Sequence, residues 1–171
     1  MLRGSVRDLL VQRLDMDLCR RLLGDVENMA RRAVHLLSHI TTTQSERVRA
    51  YLSRVAESYI FGLSTEAAVM IRSVVEAALD ERLVGVAESE VRQSISGVDT
   101  RHGPNLRQKI EFAKTKGWLP ANDRTSETGS TYEVTLQLKE QGDQAVHLSP
   151  GLEQMEASIA GLVRVLEALD V

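Results

Sequence analysis

The sequence has little of what disulfide-linked, β-rich or membrane-spanning proteins need. Cys19 is the only cysteine among 171 residues, so the chain can form neither an internal disulfide nor a thiolate cage for a metal. Aromatic residues make up 4% of the chain and there are three prolines, a balance typical of packed helices. No apolar run approaches the length of a membrane span, and charged residues follow the start too closely for a signal peptide. We therefore expect an all-α, cytoplasmic protein.

The charge balance is slightly acidic. The chain carries 21 Lys and Arg against 24 Asp and Glu, a formal charge of −3, which argues against non-specific binding of nucleic acid. Any RNA contact would need a local cluster of basic residues. Arg47, Arg49 and Arg54 form one such cluster, but Glu46 and Glu57 interrupt it, which favours a solvated helix face.

Helical spacing of apolar residues dominates the first half of the chain. Residues 1–45 are expected to form a helical extension, with Ser5 capping a first helix that ends at Leu23 and a second helix beginning near Asp25. Ser45 is predicted to cap an amphipathic helix that reaches about residue 61. After Gly62, a very apolar helix over 65–83 is predicted to be the centre of a bundle, capped by Ser64 or Thr65.

The second half mixes loops with helices. Residues 85–104 are predicted to be a loop with one short helical turn, and Asn105 to cap a helix over 106–115. Residues 132–138 fit a strand or a helix; we prefer a helix because a lone strand would have no partner. Pro150 is expected at the first position of a closing helix with a regular apolar stripe. The prediction is one domain, an all-α bundle of four to six helices.

Four stretches, taken in their order along the chain, combine glycine-containing turns, small apolar residues and charged residues in a recognisable pattern. They are residues 57–64, 67–79, 105–119 and 138–147. The second stretch carries Arg72 and Glu76 four positions apart, and the last reads Leu-Lys, a spacer, Gly-Asp, a spacer, then His147. Over residues 46–169 the chain thus resembles a bacterial branch of the HEPN superfamily, which implies a four- or five-helix bundle that is usually dimeric.

The same resemblance implies a candidate activity, from which the chain departs. Catalytic members of the superfamily are metal-independent ribonucleases with an Arg four to six residues before a His, and their paired sites face each other across a dimer interface. Here those positions hold Glu140, Gln141 and Gly142. Lys139 stands where the branch has Arg and Asp143 where it has Asn, and both departures weaken the inference of ribonuclease activity.

Lys139, Asp143 and His147 are the candidate catalytic residues. On a continuous helix they step by four and project from one face. Asp143 would fix the tautomer of His147, which could then accept a proton from a ribose 2′-hydroxyl, while Lys139 would stabilise charge on the phosphate. The structural alternative is that Asp143 and His147 only brace the end of this helix.

Arg72 and Glu76 are the candidate ligand-binding residues, completing a polar pocket that faces His147. The structural alternative is an intrahelical ion pair, partly buried and with a third partner. His35 and His39 also step by four, but no third ligand lies nearby in the pattern, so a zinc site is not expected. No metal and no cofactor are predicted.

The resulting functional hypothesis is a HEPN-like helical dimerisation or interaction module with an altered RNA-directed site. The resemblance alone implies a setting in prokaryotic defence, toxin–antitoxin systems or the stress response. One alternative is a metal-independent endoribonuclease, and another is a sensor of a nucleotide or small ligand through Arg72 and Glu76. The expected partners are a second copy of the chain, RNA or a nucleotide, and a protein such as an antitoxin, with no membrane.

Overall fold

A computed structural model describes residues 25–37, 39, 43, 45–94, 103–123 and 129–171. These residues form helices and turns without a strand, so the all-α prediction is confirmed. The helices are α1 (25–37), α2 (Glu46–Ile60), α3 (Ser64–Leu83), α4 (Glu88–Ser94), α5 (Leu106–Thr115), α6 (Thr131–Gln144) and α7 (Leu152–Leu169). None of these helices has the length and apolarity needed to cross a membrane. The helix predicted from Ser5 to Leu23 lies outside the described residues.

Side-chain caps explain where several helices begin. The Ser45 hydroxyl accepts a hydrogen bond from the Val48 amide, and Asn105 begins α5 with a capping box, as predicted. Ser130 forms a second capping box at the start of α6, which explains why the ambiguous stretch after it is helical rather than extended. The short α4 matches the helical turn predicted in the long loop.

Two predicted caps are wrong. Leu63, without a side-chain hydrogen bond, occupies the cap position of α3, while the Thr65 hydroxyl instead donates to the Ser149 hydroxyl at 3.1 Å. Helix α7 begins at Leu152 behind Gly151, so Pro150 lies buried before the helix rather than inside it. Both differences arise at one end of the bundle, where the α2–α3 turn and the α6–α7 turn pack together.

Helix α3 is the centre of the bundle, as its broad apolar arc predicted. Helices α2, α5, α6 and α7 all pack against it. Its interior side chains are Ala67, Ala68, Ile71, Val74, Val75, Ala77, Ala78 and Leu79, each at most 2% exposed. The small alanines let neighbouring helices approach closely, and the branched residues fill the space between them. Removal of this apolar surface from water is the main force that holds the bundle together.

Helix α6 approaches α3 most closely at Gly142. A Cβ at this position would lie 2.5 Å from the Cβ of Arg72 and 3.1 Å from the carbonyl oxygen of Ala68. A hydrogen is therefore the only side chain that fits between the two helices here. The contact places the residue after Gly142, the acidic Asp143, beside the guanidinium of Arg72.

Candidate functional site

Asp143 is held between two cations. The Lys139 ammonium, four residues earlier on α6, donates to Asp143 Oδ2 at 2.6 Å. Arg72 Nε, from α3, donates to Asp143 Oδ1 at 2.6 Å. Each carboxylate oxygen thus accepts one charge-assisted bond, and such bonds are about twice as strong as those between neutral groups.

The environment of Asp143 favours its ionised form. Partial burial alone would raise the pKa of this carboxyl, but the hydrogen bonds and charges of Lys139 and Arg72 outweigh burial, and the pKa is lowered overall. Asp143 therefore carries its negative charge at neutral pH and neutralises the cations beside it.

A row of alternating charges continues from this site across four helices. Arg72 Nη1 lies 3.3 Å from Glu76 Oε2, and the Lys109 ammonium lies 3.2 Å from Glu76 Oε1. In order, the row is Lys139, Asp143, Arg72, Glu76, Lys109, Asp80 and Arg47. Lys109 is its least exposed member, with 12% of the side chain accessible, and it donates to Asp80 at 2.6 Å. We call this set the charge row.

Arg72 and Glu76 therefore form the intrahelical ion pair of the structural alternative. Their side chains are 32% exposed, and each has a further partner on another helix: Asp143 for Arg72 and Lys109 for Glu76. Partial burial and a third partner are predicted from the sequence, but Lys109 and Asp80 are not. The available signal was the repeat of acidic residues at positions 76 and 80, one helical turn apart at the edge of the apolar arc.

His147 lies outside α6, so the prediction that it shares a helix face with Asp143 is wrong. The helix ends at Gln144, whose carbonyl oxygen accepts from both the His147 and Leu148 amides, at 2.8 and 2.9 Å. The hydrogen bond to the His147 amide spans three residues instead of four, so the last turn is tighter than an α-helical turn. His147 therefore no longer follows the four-residue spacing of α6. The imidazole is exposed, and within the described residues it makes no hydrogen bond. Its catalytic role stays a prediction.

His35 of α1 and His39, which follows the helix, stack on each other near a buried tyrosine. The rings of His35 and His39 have centroids 4.5 Å apart, and His35 Nδ1 lies 3.4 Å from the Tyr59 hydroxyl. Burial, followed by the charge of Glu156 and a hydrogen bond to it, raises the pKa of Tyr59 to about 12. In the described part of the chain, His, Cys, Asp and Glu side chains form no group of three suited to a metal.

Large apolar side chains are exposed where the α2–α3 and α6–α7 turns meet. We call them the end patch: Phe61, Leu63, Val146, Leu148 and Leu152, with exposed fractions of 61, 48, 71, 73 and 43%. The hydrogen bond between Thr65 and Ser149 joins the two turns. Residues 58–65 and 145–152 contain no Asp, Glu, Lys or Arg. This patch is not among the predicted sites, although the lack of charge in both turns is a signal for it in the sequence.

The chain was compared with family models, with curated proteins and with solved structures. No family model, no curated protein and no solved structure matches it. The resemblance to the HEPN superfamily therefore depends on the residues of this chain alone.

Proposed function

We propose that the protein is a HEPN-like helical dimerisation module whose RNA-directed site is altered. The observation that carries this proposal is the position of Asp143 between Lys139 and Arg72. Binding of an RNA phosphate uses the N–H donors of Lys and Arg side chains. Here a carboxylate of the chain already accepts from both cations, so a phosphate would have to displace it.

The geometry around His147 supports a module more than an endoribonuclease. A metal-independent ribonuclease needs a general base and a cation within reach of the same phosphodiester. His147 follows the end of α6, and no carboxylate within the described residues accepts a hydrogen bond from it. The imidazole therefore lacks a carboxylate that would fix its tautomer.

The end patch supports the second half of the proposal, self-association. Single exposed apolar residues are ordinary, but a contiguous patch marks an interaction surface. In a two-fold dimer identical residues lie around the axis, so charges in the contact would meet charges of the same sign. Neither turn contributes an Asp, Glu, Lys or Arg, which suits such a contact. The Arg32 guanidinium of α1 lies against the α2–α3 turn, where its Nε donates to the Ile60 carbonyl oxygen at 2.8 Å. Defence, toxin–antitoxin or stress systems are the proposed settings.

The oligomeric state of charged variants tests this proposal. We expect the wild type to be dimeric at micromolar concentrations by light scattering after size-exclusion chromatography. Phe61→Lys and Leu148→Lys should each give a monomer, because the new charge must be desolvated against its own copy. Val84→Lys is the matched control, since Val84 is 77% exposed but lies at the other end of α3. A monomeric wild type, or dimers in both patch variants, would contradict the proposal.

A further inference from the structure

A cavity of about 550 Å³ lies between α2, α7 and the end of α1, away from the charge row. Its volume is in the range of pockets that bind small molecules, about 300–1,000 Å³. The buried apolar side chains that line it are Val55, Ile159, Leu162 and Leu166, each at most 4% exposed, and the buried polar Thr43, 8% exposed, lines it as well. Leu36, Leu52, Ala56 and Val163 add further apolar surface. The interior is thus aliphatic and offers dispersion contacts with an alkyl chain but few hydrogen bonds.

The cavity is lined by one arginine, Arg49, that no carboxylate of the described residues neutralises. Arg49 lines the cavity from the exposed side of α2, and its Nη2 donates to the carbonyl oxygen of Thr43 at 3.0 Å. Within the described residues, no acidic side chain lies within ion-pair distance of this guanidinium. The cations of the charge row all have acidic partners, so Arg49 differs from them. A guanidinium has five N–H donors and one is used here, which leaves donors for an anion.

We propose that this cavity binds an aliphatic carboxylate, with the alkyl chain among the side chains of α2 and α7 and the carboxylate on Arg49. The planar guanidinium matches a carboxylate through two parallel hydrogen bonds. A neutral alkane would leave Arg49 without an anionic partner, and a cationic amphiphile would be repelled by it. The site is independent of the proposed dimerisation, because the end patch contributes no residue to the cavity.

Isothermal titration calorimetry with dodecanoate, below the concentration at which it forms micelles, tests the proposal on the full chain. We expect saturable binding of one molecule per chain. Arg49→Gln should weaken binding roughly tenfold, as expected for the loss of a charge-assisted bond. Arg54→Gln is the matched control, because Arg54 is an exposed arginine of the same helix that does not line the cavity. It should bind dodecanoate as the wild type does.

A second pair of variants tests the cavity itself. Ala56→Leu places extra carbons inside the cavity and should abolish binding, whereas Ala50→Leu, at an exposed position of α2 that does not line it, should not. Circular dichroism melts establish that each variant is folded. The proposal is overturned if the wild type shows no saturable binding, or if dodecyltrimethylammonium binds as tightly as dodecanoate. Equal affinity of the wild type and the folded Arg49→Gln or Ala56→Leu variant would also overturn it.

Discussion

Arg72 Nε lies 2.6 Å from Asp143 Oδ1, and this bond joins the central helix of the bundle to α6. The close contact at Gly142 brings the two side chains within reach, and Lys139 binds the other oxygen of the carboxylate. The Asp143 carboxylate is therefore the group on which both contacts depend. Removal of the negative charge should release Lys139 and leave Arg72 with Glu76 as its remaining acidic partner, with no change in the length of the side chain.

Asp143→Asn is expected to create binding of RNA. The amide has the shape of the carboxylate without its charge, so the Lys139 ammonium becomes available to a phosphate. Arg72 loses one of its two acidic partners and keeps Glu76. Fluorescence anisotropy with a labelled single-stranded oligouridine at low salt should show affinity about tenfold above that of the wild type. Glu140→Gln removes one negative charge from an exposed position of the same helix and serves as the control for net charge. An equal gain in both variants would show that only overall charge matters.

An RNA cleavage assay distinguishes an interaction module from an endoribonuclease. We expect the wild type to leave single-stranded RNA intact in EDTA, because His147 has no carboxylate partner and the nearby cations are neutralised. Gel electrophoresis after incubation measures this outcome. If the wild type cleaves RNA in EDTA and His147→Ala abolishes the cleavage, the protein is a metal-independent endoribonuclease and the proposed function is wrong.

Gly142→Ala should destabilise the fold. The new methyl group would lie 2.5 Å from the Cβ of Arg72, and overpacking of this kind typically costs about 1–3 kcal/mol. The higher helix propensity of alanine offsets part of this, about 1 kcal/mol, so we expect a net loss of up to about 2 kcal/mol in urea unfolding. Gly151→Ala is the control, because a Cβ there meets nothing within 4 Å. A loss at position 151 equal to that at position 142 would contradict the packing argument.

Asp123 should contribute stability that disappears in acid. Burial acts to raise the pKa of this carboxyl, but hydrogen bonds from Thr131 and the charge of Arg164 outweigh it and lower the pKa to about 2. The folded pKa is below the unfolded value of about 3.9, so the contribution is complete above about pH 5 and is lost as the pH falls towards 2.

Urea unfolding across this pH range measures the contribution. Asp123→Asn should lower the free energy of unfolding at pH 7 and flatten its fall between about pH 5 and pH 2. Glu140→Gln, with an exposed side chain, should keep the slope of the wild type. If Asp123→Asn and the wild type lose stability in parallel below pH 4, the hydrogen bonds of Asp123 are not the cause of the acid sensitivity.

Local signals were sufficient to predict most of the helices. Asn105 and Ser45 cap the helices that they were expected to cap, because a cap depends on a few neighbouring residues. The central position of α3 followed from its wide apolar arc, which only a helix surrounded by others can bury. The helical form of residues 132–138 was preferred on topological grounds and is explained by the capping box at Ser130.

The errors arose where tertiary contacts decide the local structure. His147 was placed on a helix by extending a four-residue step across the end of α6, where the last turn tightens onto the Gln144 carbonyl oxygen. The four-residue spacing of Glu76 and Asp80 marks an acidic edge on α3, but nothing in the sequence identifies Lys109, on a different helix, as the cation that binds both. The end patch is not predicted because isolated apolar residues in turns are common. The sequence does not reveal that the α2–α3 and α6–α7 turns lie side by side.

Because the signs alternate along the charge row, its two ends carry the same charge. A sequence of seven alternating charges must begin and finish with the same sign, and here four cations enclose three anions. Lys139 at one terminus and Arg47 at the other are therefore each bonded on a single side, whereas every interior member is bonded on two. An acidic molecule could engage Arg47, whose side chain is 52% exposed, without breaking any interior link.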